Sequence, residues 1–336
     1  MDLKTPREIK VTEENTKERI DLYLKKKLTG VSRSLIQEAL KNGKILLNEL
    51  MTSYKTIIKQ GDSLKILEPL VAHSKIKLSP SSLPLSILYE DSDLIVVNKE
   101  TSISIHPSLS EGGLGKTLVE ALLTHCEKEN LWQKERQISE RPGVVHRLDK
   151  NTTGALVWAK NEKTLLHLQK QFKEKTNKRE YLVLLEGEMK EKQILFESFL
   201  VRDTKNKTRF TSTQEKNKGG KWAKSLFKLE TTYSSKYTLC SVTLHTGRTH
   251  QIRAQAKELG LPVLGDPLYN IKKTVSEVFS LRTRKLIEKL SRQMLHAKTL
   301  GFIHPRTETF LNFEAPLPED FKTLLESFEL HYKTMC

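Results

Sequence analysis

The chain has 336 residues, 57 of them Lys or Arg and 41 Asp or Glu, for a formal charge of +16 at pH 7 with histidine neutral. A surplus of that size favours a polyanionic partner, nucleic acid before an anionic membrane surface, over the surface of an ordinary lysine-rich protein. MDLKTPREIK lacks an apolar leader, no run approaches the ~18 apolar residues of a membrane span, and Cys126, Cys240 and Cys336 are scattered with no CxxC pair. A soluble protein of a reducing, cytoplasmic compartment is expected, without a disulfide framework or a zinc module.

The length accommodates two domains. Residues 1–16 are polar and read as a flexible tail. Residues 17–77 read as a compact basic unit, with 13 basic and 6 acidic side chains. Ile20, Leu24 and Leu28 recur every four residues and predict a helix. Thr29-Gly30 breaks it, and Ser32 is placed to cap a second helix whose apolar face is Leu35, Ile36, Ala39 and Leu40 and whose end is Asn42-Gly43. Strands are expected over 44–48 and, after a Gly61-Asp62 turn, over 63–67. Arg33, Lys41 and Lys44 flank the second helix and its exit. The stretch 70–84 has no periodicity and is rich in serine and proline toward its end, so 78–84 reads as a linker.

Residues 85–330 begin with SILYEDSDLIVVNKE, two strands around a Glu90-Asp91-Ser92-Asp93 turn. Short β-like runs then alternate with occasional helices. The absence of a regular βαβ rhythm argues against a doubly wound parallel sheet. The expected class is α+β, with a mixed, mainly antiparallel sheet flanked by helices. Residues 202–224, rich in Lys and Arg and containing Gly219-Gly220, read as a surface element, and 272–293 as a basic helix. GGLGKT (112–117) imitates the end of a phosphate loop, but Ser110 stands where the first glycine of GxxxxGK[ST] belongs. A surface loop in which Thr117 starts a helix through Leu118, Ala121 and Leu122 fits better.

The richest stretch is GVVHRLDKNTTGALVWAK (143–160). Two apolar runs, Val144-Val145 and Ala155–Trp158, read as a buried strand pair with His146, Arg147 and Asp149 at its lip. Asp149 could cap the polar turn that follows it. A lone buried carboxylate otherwise needs compensation or takes a proton. Farther on, Thr249 can cap a helix whose core face is Ile252, Ala256 and Leu259 and whose end is Gly260 and Pro262. Arg253 lies beside that face, free to turn toward the sheet. Tyr181 lies on a strand over 181–185. A His146, Asp149 and His250 metal site is conceivable by residue type alone.

HRLDKNTTGALVWAK (146–160), KREYLVLLEG (178–187) and LHTGRTHQIRAQAKELGLPVLGDPLY (244–269) resemble, in order, three motifs of the RluA-type pseudouridine synthases. YEDSDLIVVNK (89–99), HPS (106–108) and RQMLHAKTLGFIHP (292–305) add to the likeness. ERIDLYLKKKLTGVSRSLIQEALKNGKILLNE through IIKQGDSLKI resembles the S4 RNA-binding domain. The resemblance implies an enzyme that isomerises uridine in RNA, most readily 23S ribosomal RNA. It implies Asp149 as the catalytic aspartate, kept ionised by Arg253. Tyr181 would stack on the target base and assist a proton transfer, Ile252 would wall the base pocket, and Arg147 would fill the space left by a flipped base. Arg33, Lys41 and Lys44 would touch RNA.

The reaction breaks an N–C bond and makes a C–C bond, so it calls for no redox cofactor and no metal. A monomer is the default expectation. The same reaction on transfer RNA, and a non-catalytic RNA-binding ribosome-assembly factor, stand as alternatives. The chain departs from the family where Glu100 replaces the usual proline and Thr101-Ser102-Ile103 replaces Ala-Gly-hydrophobic. A different loop path before His106 is therefore expected. Thr153 and Val183 are milder changes, and GKWAKS (220–225) suits a phosphate-tracking flap.

Overall fold

A computed structural model describes residues 7–12, 17–28, 31, 33–68, 70, 80–106, 116–128, 142–206, 208–216, 219–270, 275 and 277–333. The chain divides into two compact units, Met1–Lys75 and Ile76–Cys336.

The first unit contains β1 (Arg7–Lys10), β2 (Glu18–Arg19), α1 (Ile20–Lys27), α2 (Arg33–Lys41), β3 (Ile45–Leu47), β4 (Ile57–Ile58) and β5 (Ser63–Ile66). The four-residue apolar repeats turn Ile20, Leu24, Ile36 and Leu40 into one core, closed by Ile45, Leu64 and Ile66. The sheet order is β1-β5-β3, and β2 pairs with β4. Residues 7–10 are thus not tail: they add an edge strand to β5, because Ile9 packs on the core and Val11 is buried. Two such residues are too few to produce a readable period. Thr29, Gly30 and the expected cap Ser32 lie outside the described residues.

The second unit contains β6 (Ile87–Glu90), β7 (Leu94–Lys99), α3 (Leu118–Lys128), β8 (Thr153–Ala159), α4 (Glu162–Glu174), β9 (Lys178–Glu186), β10 (Gln193–Arg202), β11 (Phe210–Thr213), β12 (Lys221–Tyr233), β13 (Tyr237–Leu244), α5 (Gln251–Glu258), α6 (Leu281–Glu288), β14 (Leu295–Ile303), β15 (Phe310–Glu314) and α7 (Glu319–Lys333). Its main sheet runs β11-β10-β12-β13-β9-β14-β8-β7-β6, with β15 also on β14. The described pairs are antiparallel except β14 with β8. This is the mixed, mainly antiparallel sheet flanked by helices that the sequence implies.

Alternation along the strands sorts two cores. Ile95, Val97, Leu156 and Val183 face α3 and α5, whereas Leu94, Val96, Val157 and Phe302 face Leu168 of α4. β8 is buried along its whole length because both faces are covered. Val144 and Val145 do not form the expected partner strand. Only an isolated bridge joins Val144 to Trp158.

Of the basic helix expected over 272–293, the described residues hold α6 alone. Ser280 caps it by accepting from the Thr283 N–H. Beyond Leu290 the chain is drawn toward β14, and buried Arg292 forks onto Asp320 at 2.6 and 2.7 Å. The 202–224 stretch is a surface element built into the sheet. It carries β11 and the start of β12 at the sheet edge. Gly112–Gly115 lie outside the described residues. Thr117 opens α3 as expected, its hydroxyl and N–H both donating to Glu120 Oε2.

Candidate active site

Asp149 ends an irregular run, 145–149, that is pinned from both ends. Upstream, Gly143 adopts φ 67, where a Cβ would collide with the Trp158 ring. The Trp158 indole N–H donates to the Pro142 carbonyl at 2.9 Å. His146 turns inward, accepting from the Val157 N–H and stacking on Phe172. Downstream, the Thr152 N–H donates to the Asp149 backbone carbonyl at 3.0 Å. The backbone therefore closes this turn, and the carboxylate contacts Arg253 and His250 instead.

Lys99, at the end of β7, is buried directly behind this loop. Its ammonium donates to the carbonyls of Glu100, Ile103 and Lys150 at 2.8–3.0 Å. It thereby ties the Asp149 turn to the Glu100 loop. Burial pushes Lys99 down to about 7, against the pull of Asp149. Ser102, in the position where glycine is usual, adopts φ 63. The backbone there takes the left-handed conformation that glycine favours without having one. Ser104 and Ile105 then cap α3 by accepting from the Leu118 and Val119 N–H groups.

Arg253 arrives on α5. The helix begins at His250, not at a Thr249 cap. His250 is left-handed at φ 57, and the side chain of Gln251 loops back to accept from Thr246 Oγ1 and the Arg248 N–H. The chain must reverse sharply out of β13, and a left-handed residue makes that reversal where a capping threonine would not. The turn also brings His250 Nε2 to 3.7 Å from Asp149. Burial lowers the His250 pKa, opposed by Asp149. Gly260, at φ 75, ends the helix as expected.

The Arg253 guanidinium is 7% exposed and holds two carboxylates. Nη1 donates to Asp149 Oδ2 at 2.9 Å. Nε and Nη2 fork onto Asp266 at 2.7 and 2.9 Å. Asp266 is fully buried and also accepts from the Leu268 and Tyr269 N–H groups. The two acids raise the Arg253 pKa against burial. One guanidinium thus anchors in the protein through Asp266 and presents its remaining edge to Asp149.

Asp149, Arg147, Arg253 and His250 line a cavity of about 610 Å³, with Ile105 and His106 from the Glu100 loop opposite. That volume is in the range of small-molecule pockets. Tyr181 and Ile252, 7% and 4% exposed, line a narrow recess beside Asp149 and Arg253. Burial raises the Tyr181 pKa, eased by Arg179. Arg147 is exposed at the mouth.

The fold therefore gathers Asp149, Tyr181, Arg253, Ile252 and Arg147. Arg33, Lys41 and Lys44 belong to the first unit. Arg33 donates to the buried Asp21 at 2.9 Å, Lys44 pairs with Glu68, and Lys41 is exposed. The sequence points to neither Lys99 nor Asp266 as part of this arrangement, and sets His250 beside Asp149 only as a conceivable metal ligand. Asp266 lies in the quoted GDPLY, where the glycine is a signal: Gly265 has φ 74 and no room for a Cβ against Arg292. Among the described residues, only Asp91, Asp93 and His304 bring three potential metal-ligand atoms together. All three already bond within the protein.

The profile of the family described as RNA pseudouridylate synthase matches residues 93–258. The chain is 34% identical over 320 residues to the uncharacterized RNA pseudouridine synthase YlyB of Bacillus subtilis (strain 168), spanning 95% of this chain and 97% of that one. It is 33% identical to the chloroplastic RNA pseudouridine synthase 2 of Arabidopsis thaliana, over 91% of this chain and 79% of that one. The solved human RNA pseudouridylate synthase domain containing 4 superposes on 73% of this chain and 93% of its own, with a TM-score of 0.55 at 21% identity, a likeness of fold. The chain thus belongs to the RluA-type RNA pseudouridine synthases, isomerases that act on RNA.

Proposed function

We propose that this enzyme converts specific uridines of 23S ribosomal RNA to pseudouridine in the cytoplasm, as a monomer, with Asp149 as the catalytic carboxylate. The observation that carries this reading is the 2.9 Å contact between Asp149 and an Arg253 locked onto Asp266, at the wall of a nucleoside-sized cavity. Isomerisation breaks the N1–C1′ bond, rotates the base and joins C5 to C1′; the C5 proton is released and N1 takes one up. A carboxylate at the ribose serves either attack on C1′ or removal of the 2′ proton. Arg253 holds that carboxylate in place and supplies positive charge beside it.

A uridine inside folded RNA must first leave its stack, at a cost of about a few kcal/mol. Arg147, exposed at the mouth, can stack and hydrogen-bond in the space left behind. Tyr181 and Ile252 offer an aromatic face and an apolar wall to the detached base. The preference for ribosomal RNA rests on the +16 charge and on the S4-like pattern of the first unit, with Arg33, Lys41 and Lys44 as its RNA contacts.

The test is pseudouridine mapping of total RNA from cells with the gene, without it, and with an Asp149→Asn allele. Sites in 23S ribosomal RNA should vanish without the gene and stay absent with the allele. Loss confined to transfer RNA would overturn the substrate, and sites restored by the allele would overturn the role of Asp149.

A further inference from the structure

On the α4 side of Arg147 lies a second groove, of about 430 Å³, which shares Arg147, Asp149 and Tyr181 with the site above and adds a basic end that the chemistry above leaves unused. Its floor is Arg179, on β9 two residues before Tyr181. Lys173 and Lys175 at the end of α4, and Arg248 before α5, stand on its rim. Asp149 is the only acid lining it among the described residues.

Arg179 is 7% exposed, and its Nε is buried without a hydrogen-bond partner. Among the described residues it has no carboxylate within ion-pair distance. What holds it is a cation–π contact: the guanidinium lies 5.3 Å from the Phe172 ring centre. It also packs so closely on Gly247 that a Cβ there would come within 2.6 Å of Nη1. His146, stacked on the same Phe172, offers no negative charge. Two of the rim cations are held without acids as well. Lys175 Nζ sits 4.5 Å over the Trp222 ring, and Arg248 Nε donates to the Trp222 carbonyl at 3.0 Å.

A buried, uncompensated guanidinium is costly, and an arginine fork matches a phosphate. We propose that this groove is a phosphate subsite: it receives a backbone phosphodiester of the RNA strand flanking the uridine, with Arg179 as the floor contact and Lys173, Lys175 and Arg248 as the rim. This rests on the uridine being received at Asp149. Arg179 is then a positioning residue, fixing how the strand passes Arg147.

Two readouts test it. One is tritium release from total RNA labelled at uridine C5, taken from cells lacking the gene. The other is fluorescence anisotropy with a labelled ten-nucleotide oligouridine between 50 and 300 mM KCl. Arg179→Met should raise the half-saturating RNA concentration about tenfold, as expected for one lost charged hydrogen-bond contact. The maximal rate should change less than about threefold, and the slope of log affinity against log salt should fall by about 0.7, one single-strand phosphate contact. Lys173→Gln/Lys175→Gln should shift both in the same direction.

A lower maximal rate with unchanged half-saturation and salt slope would overturn the proposal. If Arg179→Met does not fold, the exposed-rim double variant decides, and wild-type affinity and slope there refute it. The oligouridine measurement needs no turnover. An active Asp149→Asn would therefore sink the catalytic reading without touching this one.

Discussion

Two buried arginines lie near Tyr181, and their surroundings are opposite. Arg253 sits among carboxylates: Asp266 takes its fork and Asp149 its remaining edge. Arg179, buried to a similar degree, sits on an aromatic ring and a glycine with no acid beside it. A buried cation with its carboxylates in place is already compensated, whereas one without them carries an uncompensated desolvation cost. On the reading proposed above, Arg253 holds the carboxylate at the reacting centre while Arg179 waits for the RNA backbone.

The contrast makes its largest demand on stability. Arg253→Met strands a fully buried Asp266, and should lower urea-unfolding stability by roughly 3 kcal/mol or more. Arg179→Met strands nothing and keeps an apolar stem on Phe172, so it should stay within about 1 kcal/mol of the parent. Equal losses in the two variants would erase the distinction.

A smaller effect concerns pH. Burial first, and Arg179 second, push His146 down to about 3. Since that lies below the ~6.5 of an unfolded histidine, its contribution to stability is full above pH ~6.5 and is lost as pH falls toward 3. Removing Arg179 removes one cause, so in Arg179→Met the ring should take its proton at higher pH. NMR titration of the imidazole measures this, and an unchanged titration would mean that Arg179 does not act on His146.

The smallest effect belongs to Gly247→Ala. Its backbone φ needs no glycine, but the new Cβ must displace the Arg179 guanidinium. RNA half-saturation should rise about two- to fivefold, a fraction of the weakening expected for Arg179→Met. Stability should hardly move.

What the sequence made legible follows how local each signal is. The helices of the first unit announce themselves through Ile20, Leu24, Ile36 and Leu40, whose spacing is a property of a few turns. Asp149, Arg253 and Tyr181 stand out through motif likeness, and the fold brings Asp149 and Arg253 together. Asp266 and Lys99 fall within the matched motifs, but their roles depend on which turn packs beside α5 and which loop lies behind β7. Those are long-range facts with no periodicity. The Thr249 cap fails for a related reason: a threonine before an apolar face is a good local signal, but the reversal from β13 demands a left-handed residue. Arg179 carries no local signal, because an arginine on a strand normally reads as surface. Only the depth of β9 in the sheet marks it.

The proposed role of the Asp149 carboxylate in the chemistry is tested most directly by replacing it with its amide. Purified Asp149→Asn is nearly isosteric and keeps a hydrogen-bond acceptor for Arg253. It should bind the ten-nucleotide oligouridine as the parent does, yet release tritium from C5-labelled RNA at least about 10³-fold more slowly. Release at the parental rate by a folded, RNA-binding Asp149→Asn would contradict the account.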